Sequence, residues 1–148
     1  MGKAVLASLL LTICIFSARA GETIMADPPP SFDAPRQIML TLNSDDPVKI
    51  NNVLFNVVNI QKFYGFDNVE IAVILYGAGL RAVLKDETPV LDRITSLLKY
   101  DVAFVACGNT LEAMHKPESA LVDGVETVQA GIPEIVERRL RGWHYIHP

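Results

Sequence analysis

The chain has 148 residues with 13 basic and 17 acidic side chains and a formal charge of −4. Half of it is apolar, it contains two cysteines, and no basic excess offers a surface for nucleic-acid phosphates. That length fits one domain of common size, with a core large enough to stand without disulfide staples.

Residues 1–20 read as a secretory signal. Lys3 precedes the apolar run Ala4 to Phe16, and Ser17-Ala18-Arg19-Ala20 supplies a small-x-small cleavage site after Ala20. The run is shorter than the roughly 20 residues of a membrane span, so no stable anchor is expected after cleavage. Leu11-Thr12-Ile13-Cys14 is a poor lipoprotein site because bulky Ile13 stands where a small residue belongs. Cleavage removes Lys3 and Arg19 and no acid, leaving 11 basic and 17 acidic side chains and a charge of −6. The expected location is therefore outside the cytoplasm: secreted, and in the periplasm if the cell is Gram-negative. Cys14 leaves with the signal, so Cys107 is the sole thiol of the mature chain and has no internal disulfide partner.

Residues 21–35, with Asp27-Pro28-Pro29-Pro30 and Pro35, read as an extended lead-in. Beyond it, apolar bursts alternate with helical patterns, as expected for parallel strands joined by crossover helices. Ile38–Leu42 is the first predicted strand. It ends at Asn43-Ser44-Asp45-Asp46-Pro47, where Asp46 caps a helix and Pro47 fills its first turn. That helix runs through Val48, Leu54, Val57, Val58 and Phe63, and Gly65 closes it. The nearly continuous apolar run Val69–Leu75 predicts a strand covered on both faces, followed by Tyr76-Gly77-Ala78-Gly79. Thr88-Pro89 opens a second helix with an apolar stripe at Leu91, Ile94, Leu97 and Leu98.

Val102–Ala106 is the third strand and ends at Cys107; Asn109–Met114 is a short helix stopped by Lys116-Pro117. Val125–Val128 is a fourth strand. Pro133 opens a last helix with Arg138, Arg139 and Arg141 near its C-terminus, and Gly142 separates it from the tail Trp143 to Pro148. The expected fold is a three-layer α/β domain over residues 36–148, with a mainly parallel sheet flanked by helices. Right-handed crossovers bring the C-terminal ends of parallel strands to one edge, where ligand sites of open α/β sheets lie. Asn43, Tyr76-Gly77-Ala78-Gly79 and Cys107 should converge there.

Cys107 stands where a strand hands over to a helix. The N–H groups of Gly108, Asn109 and Thr110 can face its sulfur, which favours a thiolate, and Gly108 leaves room for an approaching group. The competing reading makes Cys107 a small apolar residue filling space. Gly77-Ala78-Gly79-Leu80-Arg81-Ala82 fits G-x-G-x-x-A, a form of the dinucleotide fingerprint. The following strand ends in Cys107, however, where an acidic ribose ligand belongs. A tight backbone turn is the simpler reading, with Arg81 or Lys85 available to an anion. His115, His144 and His147 lack the further ligands of a metal site. No serine stands in a G-x-S-x-G elbow. Trp143 and Tyr145 are read as packing residues, so no metal and no cofactor is expected.

The stretches "VEIAVILYGAGLRAVL", "VAFVACGNTLEAM" and "AGIPEIVERRLRGWHYIHP", in this order and spacing, resemble the DsrE/DsrF-like family, also called the YchN-like fold, in a branch of secreted members. The similarity spans Arg36 to Pro148. It implies a parallel-sheet α/β fold, homo-oligomers of three or six chains, and, by analogy with sulfur-relay members, a persulfide on Cys107 exchanged with a donor or acceptor protein. The alternative from a different class is a non-catalytic oligomer that binds a small molecule or partner at the pocket edge formed by Asn43, Tyr76, Gly77, Ala78, Gly79, Gly108, Asn109 and Thr110.

Overall fold

The computed structural model describes residues 21–148. The signal-peptide reading falls on residues 1–20, outside them. Residues 21–35 carry no helix or ladder strand, only a bridge between Ser31 and Ala34. Arg36 fastens this lead-in, its guanidinium donating to the carbonyls of Ala26 at 2.8 Å and Pro28 at 2.7 Å.

Five strands form one parallel sheet: β1 (Arg36–Leu42), β2 (Val69–Leu75), β3 (Val102–Cys107), β4 (Glu126–Val128) and β5 (His144–Ile146). Their order is β4-β3-β2-β1-β5. The helices are α1 (Pro47–Tyr64), α2 (Leu91–Leu98), α3 (Gly108–Ala113) and α4 (Gly131–Leu140).

From β1 to β4 the chain steps across the sheet in one direction, so right-handed crossovers place α1, α2 and α3 on the same face. From β4 it returns past all the inner strands to β5, and the same handedness puts α4 on the opposite face. The side chains obey this division. Leu40, Leu42, Val73, Leu75, Phe104 and Ala106 pack with Leu54, Ile94 and Leu111 in the larger core. Met39, Ala72, Ile74 and Val105 pack with Ile135 of α4 in the smaller one. Period-two alternation sends successive strand residues into different cores.

Local chemistry explains the element ends. The Asp46 carboxylate accepts the Val48 N–H at 2.7 Å, Pro47 occupies the first helical position, and Gly65 leaves α1 at φ +86°. Gln61, 5 % exposed, donates its side-chain amide to the Tyr100 carbonyl at 2.9 Å and ties α1 to the turn before β3.

Several boundaries differ from expectation. β1 begins at Arg36, because the ladder with β2 reaches Arg36↔Val69. α2 begins at Leu91; Thr88 and Pro89 precede it in a turn where the Thr88 hydroxyl accepts the Val90 N–H at 3.2 Å. α4 starts at Gly131, two residues before Pro133. Gly77–Val83, expected as a bare turn, winds into a 3-10 helix. The largest difference is the tail: His144–Ile146 is a strand, paired in parallel with Ile38–Leu40 of β1.

Candidate functional site

The ladders align Leu42 with Leu75 and Leu75 with Ala106. The next residues, Asn43, Tyr76 and Cys107, therefore leave the sheet side by side at its C-terminal edge. Cys107 also faces Val128 across the β3–β4 ladder. The segment after β3 turns to one face of the sheet as α3, whereas the segment after β4 turns to the other as α4. Adjacent strands whose connections diverge in this way mark the topological switch point at which open α/β folds place their chemistry. Cys107 stands at it.

Cys107 shares its side of the sheet with Val105 and so looks toward α4. Its sulfur accepts the backbone N–H of Gly131 at 3.2 Å, the first residue of that ten-residue helix. On its own side Cys107 occupies the N-cap position of α3, with Asn109 and Thr110 in the first turn. The Thr110 hydroxyl oxygen accepts the Gly77 N–H at 3.2 Å, which leaves the hydroxyl proton free to point back at the sulfur three residues earlier. Burial pushes the Cys107 thiol up, but the Thr110 hydroxyl and the N–H groups of Gly131, Thr110 and Asn109 together hold it below the ordinary thiol value. The Asn109 N–H contributes least, its main partner being the Gln129 carbonyl at 3.0 Å. The thiol is 6 % exposed.

The expected edge residues divide by role. Tyr76 packs into the smaller core and donates its N–H to the Leu42 carbonyl at 3.2 Å. Gly77, at φ +53°, turns the chain so that its N–H meets Thr110. Ala78 is half-buried, and Asn43 is exposed at the end of β1. Gly79 lies hard against β1, where a side-chain carbon would stand 2.2 Å from the Leu42 carbonyl oxygen and 2.5 Å from its carbon. The fingerprint-like glycine thus serves close packing of the turn on the strand. The room left by Gly108 is filled from within the chain: a side-chain carbon there would meet the Val128 and Gln129 carbonyl oxygens at 3.0 and 3.3 Å.

Neither cation of the turn is unpaired. Arg81 contacts Glu87 and approaches Asp45 at 3.8 Å, and Lys85 pairs with Asp123 at 2.8 Å. Glu87 also meets Lys116 at 2.7 Å, and that hydrogen bond, with the nearby Arg81 charge, lowers its pKa against the opposing effect of burial. Among the described residues, no three His, Cys, Asp or Glu side chains are grouped to hold a metal ion. Nor is any described helix long and apolar enough to cross a membrane.

Gly131 was missed by the sequence reading. Ala130-Gly131 before Pro133 is a local hint of a helix start, but nothing in the sequence says that this start closes on Cys107. A side-chain carbon on Gly131 would lie 3.2 Å from the Cys107 Cβ and 3.5 Å from the Tyr76 Cβ. Only a glycine fits between them without displacing α4.

The chain resembles several solved structures. MTH1491 of Methanobacterium thermoautotrophicum, a protein of unknown function, is 29% identical with a TM-score of 0.73, over 76% of this chain and 99% of that one. The ychN protein of E. coli is 16% identical with a TM-score of 0.64, over 76% and 99%. BT1422 of Bacteroides thetaiotaomicron, a conserved protein of unknown function, is 21% identical with a TM-score of 0.61, over 75% and 93%. None of the curated proteins matches. The model of the DsrE/DsrF-like family matches residues 34–148, nearly all of the described chain, and the protein belongs to that family.

Proposed function

We propose that the protein is a sulfur carrier that holds a persulfide on Cys107. The family relates to sulfur relay. The observation that carries the reading for this chain is the buried sulfur at the switch point, held by the Gly131 N–H at 3.2 Å with its pKa lowered. The Cys107 thiolate attacks the outer sulfur of a donor persulfide. A Cys107 S–S bond forms as the donor S–S bond breaks, and the donor leaves as a thiolate. An acceptor thiolate then attacks the outer sulfur on Cys107, which departs as the thiolate it began as. No net oxidant is needed, and no general base is required once the thiol is ionised. The second cysteine of an internal disulfide cycle is absent from the mature chain, so the exchange takes place with another molecule.

Intact mass of the folded protein, before and after exposure to a polysulfide donor, tests this. One added sulfur, lost on reduction and absent from Cys107→Ser, is the expected result. A thiol that reacts only after unfolding would make Cys107 a packing residue and leave small-molecule or partner binding as the function.

Two accompanying readings complete the proposal. The working form is a homo-oligomer of three or six chains. Its support here is an apolar row on α4, Ile132, Val136 and Leu140, exposed at 54, 49 and 77% and spaced four residues apart on one side of the helix that covers the thiol. Light scattering should give a multiple of the chain mass, and Val136→Glu should reduce it; a monomer at all concentrations overturns the reading. The protein is exported and cleaved after Ala20, so N-terminal sequencing of the expressed protein should begin at Gly21.

A further inference from the structure

The thiol is closed in on two sides. Cys107 is 6% exposed, the Gly131 N–H meets its sulfur at 3.2 Å, and one carbon added to Gly131 would stand 3.6 Å from that sulfur. On the side of α3 the chain between β4 and α4 clasps the cysteine's neighbours. The Gln129 carbonyl accepts the Asn109 N–H at 3.0 Å, and the Val128 and Gln129 carbonyls fill the space beside Gly108. A donor's sulfur must come within bonding distance of Sγ, and the persulfide then needs room for a further atom, so one wall has to give.

The walls are not equally fixed. β2 and β3 are inner strands buried at almost every position, and α3 is anchored by Leu111 in the larger core. α4 buries only Gly131 and Ile135, and of these Ile135 alone enters the smaller core. Its chain arrives from β4 and leaves into β5, two three-residue strands at opposite edges of the sheet. An element with little buried apolar surface and short attachments opens at the lowest cost.

Loading also moves the charge. In the thiolate the negative charge sits on Sγ, and the Gly131 N–H makes a charge-assisted bond to it. In the persulfide Sγ is bonded to carbon and sulfur, and the charge lies on the outer sulfur, about 2.05 Å further on. To keep a charged acceptor the N–H must follow that outer atom. The empty and loaded states of Cys107 thus interact differently with α4, which is what a shift in its position requires.

We propose that α4 is a lid on the thiol whose first turn, residues 131–135, is displaced when Cys107 takes up sulfur, so that the load is signalled on the outer surface of the helix at Ile132 and Val136. The lid rests on the sulfur-carrier reading of Cys107.

Methyl methanethiosulfonate supplies a load without a donor protein. The Cys107 thiolate attacks its sulfenyl sulfur, the Cys107 S–S bond forms, and methanesulfinate leaves with the electron pair of the broken S–S bond. Amide exchange of the mature protein is then compared before and after loading. The Glu134 N–H, bonded to the Ala130 carbonyl at 3.1 Å, and the Ile135 N–H should exchange about tenfold faster, with Leu54 and Val57 of α1 unchanged. The fluorescence of Trp143, the one tryptophan of the chain and packed against the smaller core, should change with them. Cys107→Ser should show neither effect. Ile135→Ala should raise the modification rate about tenfold without moving its pH midpoint, which separates opening of the lid from acidity of the thiol. Loading that leaves α4 exchange within about threefold of the empty protein's, an unchanged rate in Ile135→Ala, or a thiol modified only on unfolding would overturn the lid. Polysulfide that adds no mass while the small reagent still frees α4 would instead remove the carrier reading, so the two failures are told apart.

Discussion

Replacing Gly131 by alanine should make Cys107 a weaker acid. The added methyl would stand 3.2 Å from the Cys107 Cβ, 3.5 Å from the Tyr76 Cβ and 3.6 Å from the sulfur, so the start of α4 must retreat by a few tenths of an ångström. That retreat lengthens the Gly131 N–H to sulfur bond, now 3.2 Å. A hydrogen bond to a charged acceptor is worth about 1.5–3 kcal/mol. Losing the lower end of that range, about 1.5 kcal/mol, raises the thiol pKa by about one pH unit, which leaves about tenfold less thiolate at any pH below the folded value. The assay is the alkylation rate of the folded protein by iodoacetamide as a function of pH, with urea unfolding run beside it to confirm that the variant is folded. The midpoint should move to higher pH in Gly131→Ala while the plateau rate at high pH stays. Coincident midpoints, or a lower one in the variant, would refute the role given to the α4 N-terminus.

Two further outcomes are expected. Gly79→Ala should destabilise the fold by about 2 kcal/mol or more, read as a lower urea midpoint, because its methyl would overlap the Leu42 carbonyl and push β1 away from the turn; a loss below about 0.5 kcal/mol would mean that the contact yields easily. Stability should also depend on pH through Cys107. Its folded pKa is lowered, so between the folded value and the ordinary thiol value of the unfolded chain, about 8.5, the unfolded state binds more protons and stability rises with pH. This contribution is fully present above the unfolded value and is lost as pH falls through the folded one. Comparing the pH dependence of unfolding with that of Cys107→Ala isolates it, and parallel curves would contradict a lowered thiol pKa.

The sequence alone determined the elements that carry their own local signals. Asp46-Pro47 set the start of α1, and the apolar run Val69–Leu75 announced a strand buried on both faces. Cys107 at a strand-to-helix step was visible because apolar residues end there and Gly108-Asn109-Thr110 begin a helix. Parallel strands with right-handed crossovers imply that Asn43, Tyr76 and Cys107 leave the sheet at one edge, and the ladders pair the residues just before them, Leu42 with Leu75 and Leu75 with Ala106.

What the tertiary structure decided are features whose cause lies far along the chain. Three residues are too few to hold a periodic pattern, so the sequence leaves His144–Ile146 in the tail; it is a strand only because the free edge of β1 offers hydrogen bonds to it. Gly131 reaches Cys107 because α4 crosses the sheet in the reverse direction, on the opposite face, a consequence of strand order that no local residue encodes. The same return brings the tail beside β1, closing His147 onto Thr41 across a separation of 106 residues in sequence. Short-range signals choose elements because backbone preferences and capping act within a few residues. Long-range partners depend on the path of the whole chain, and there the thiol acquires the hydrogen bond that sets its acidity.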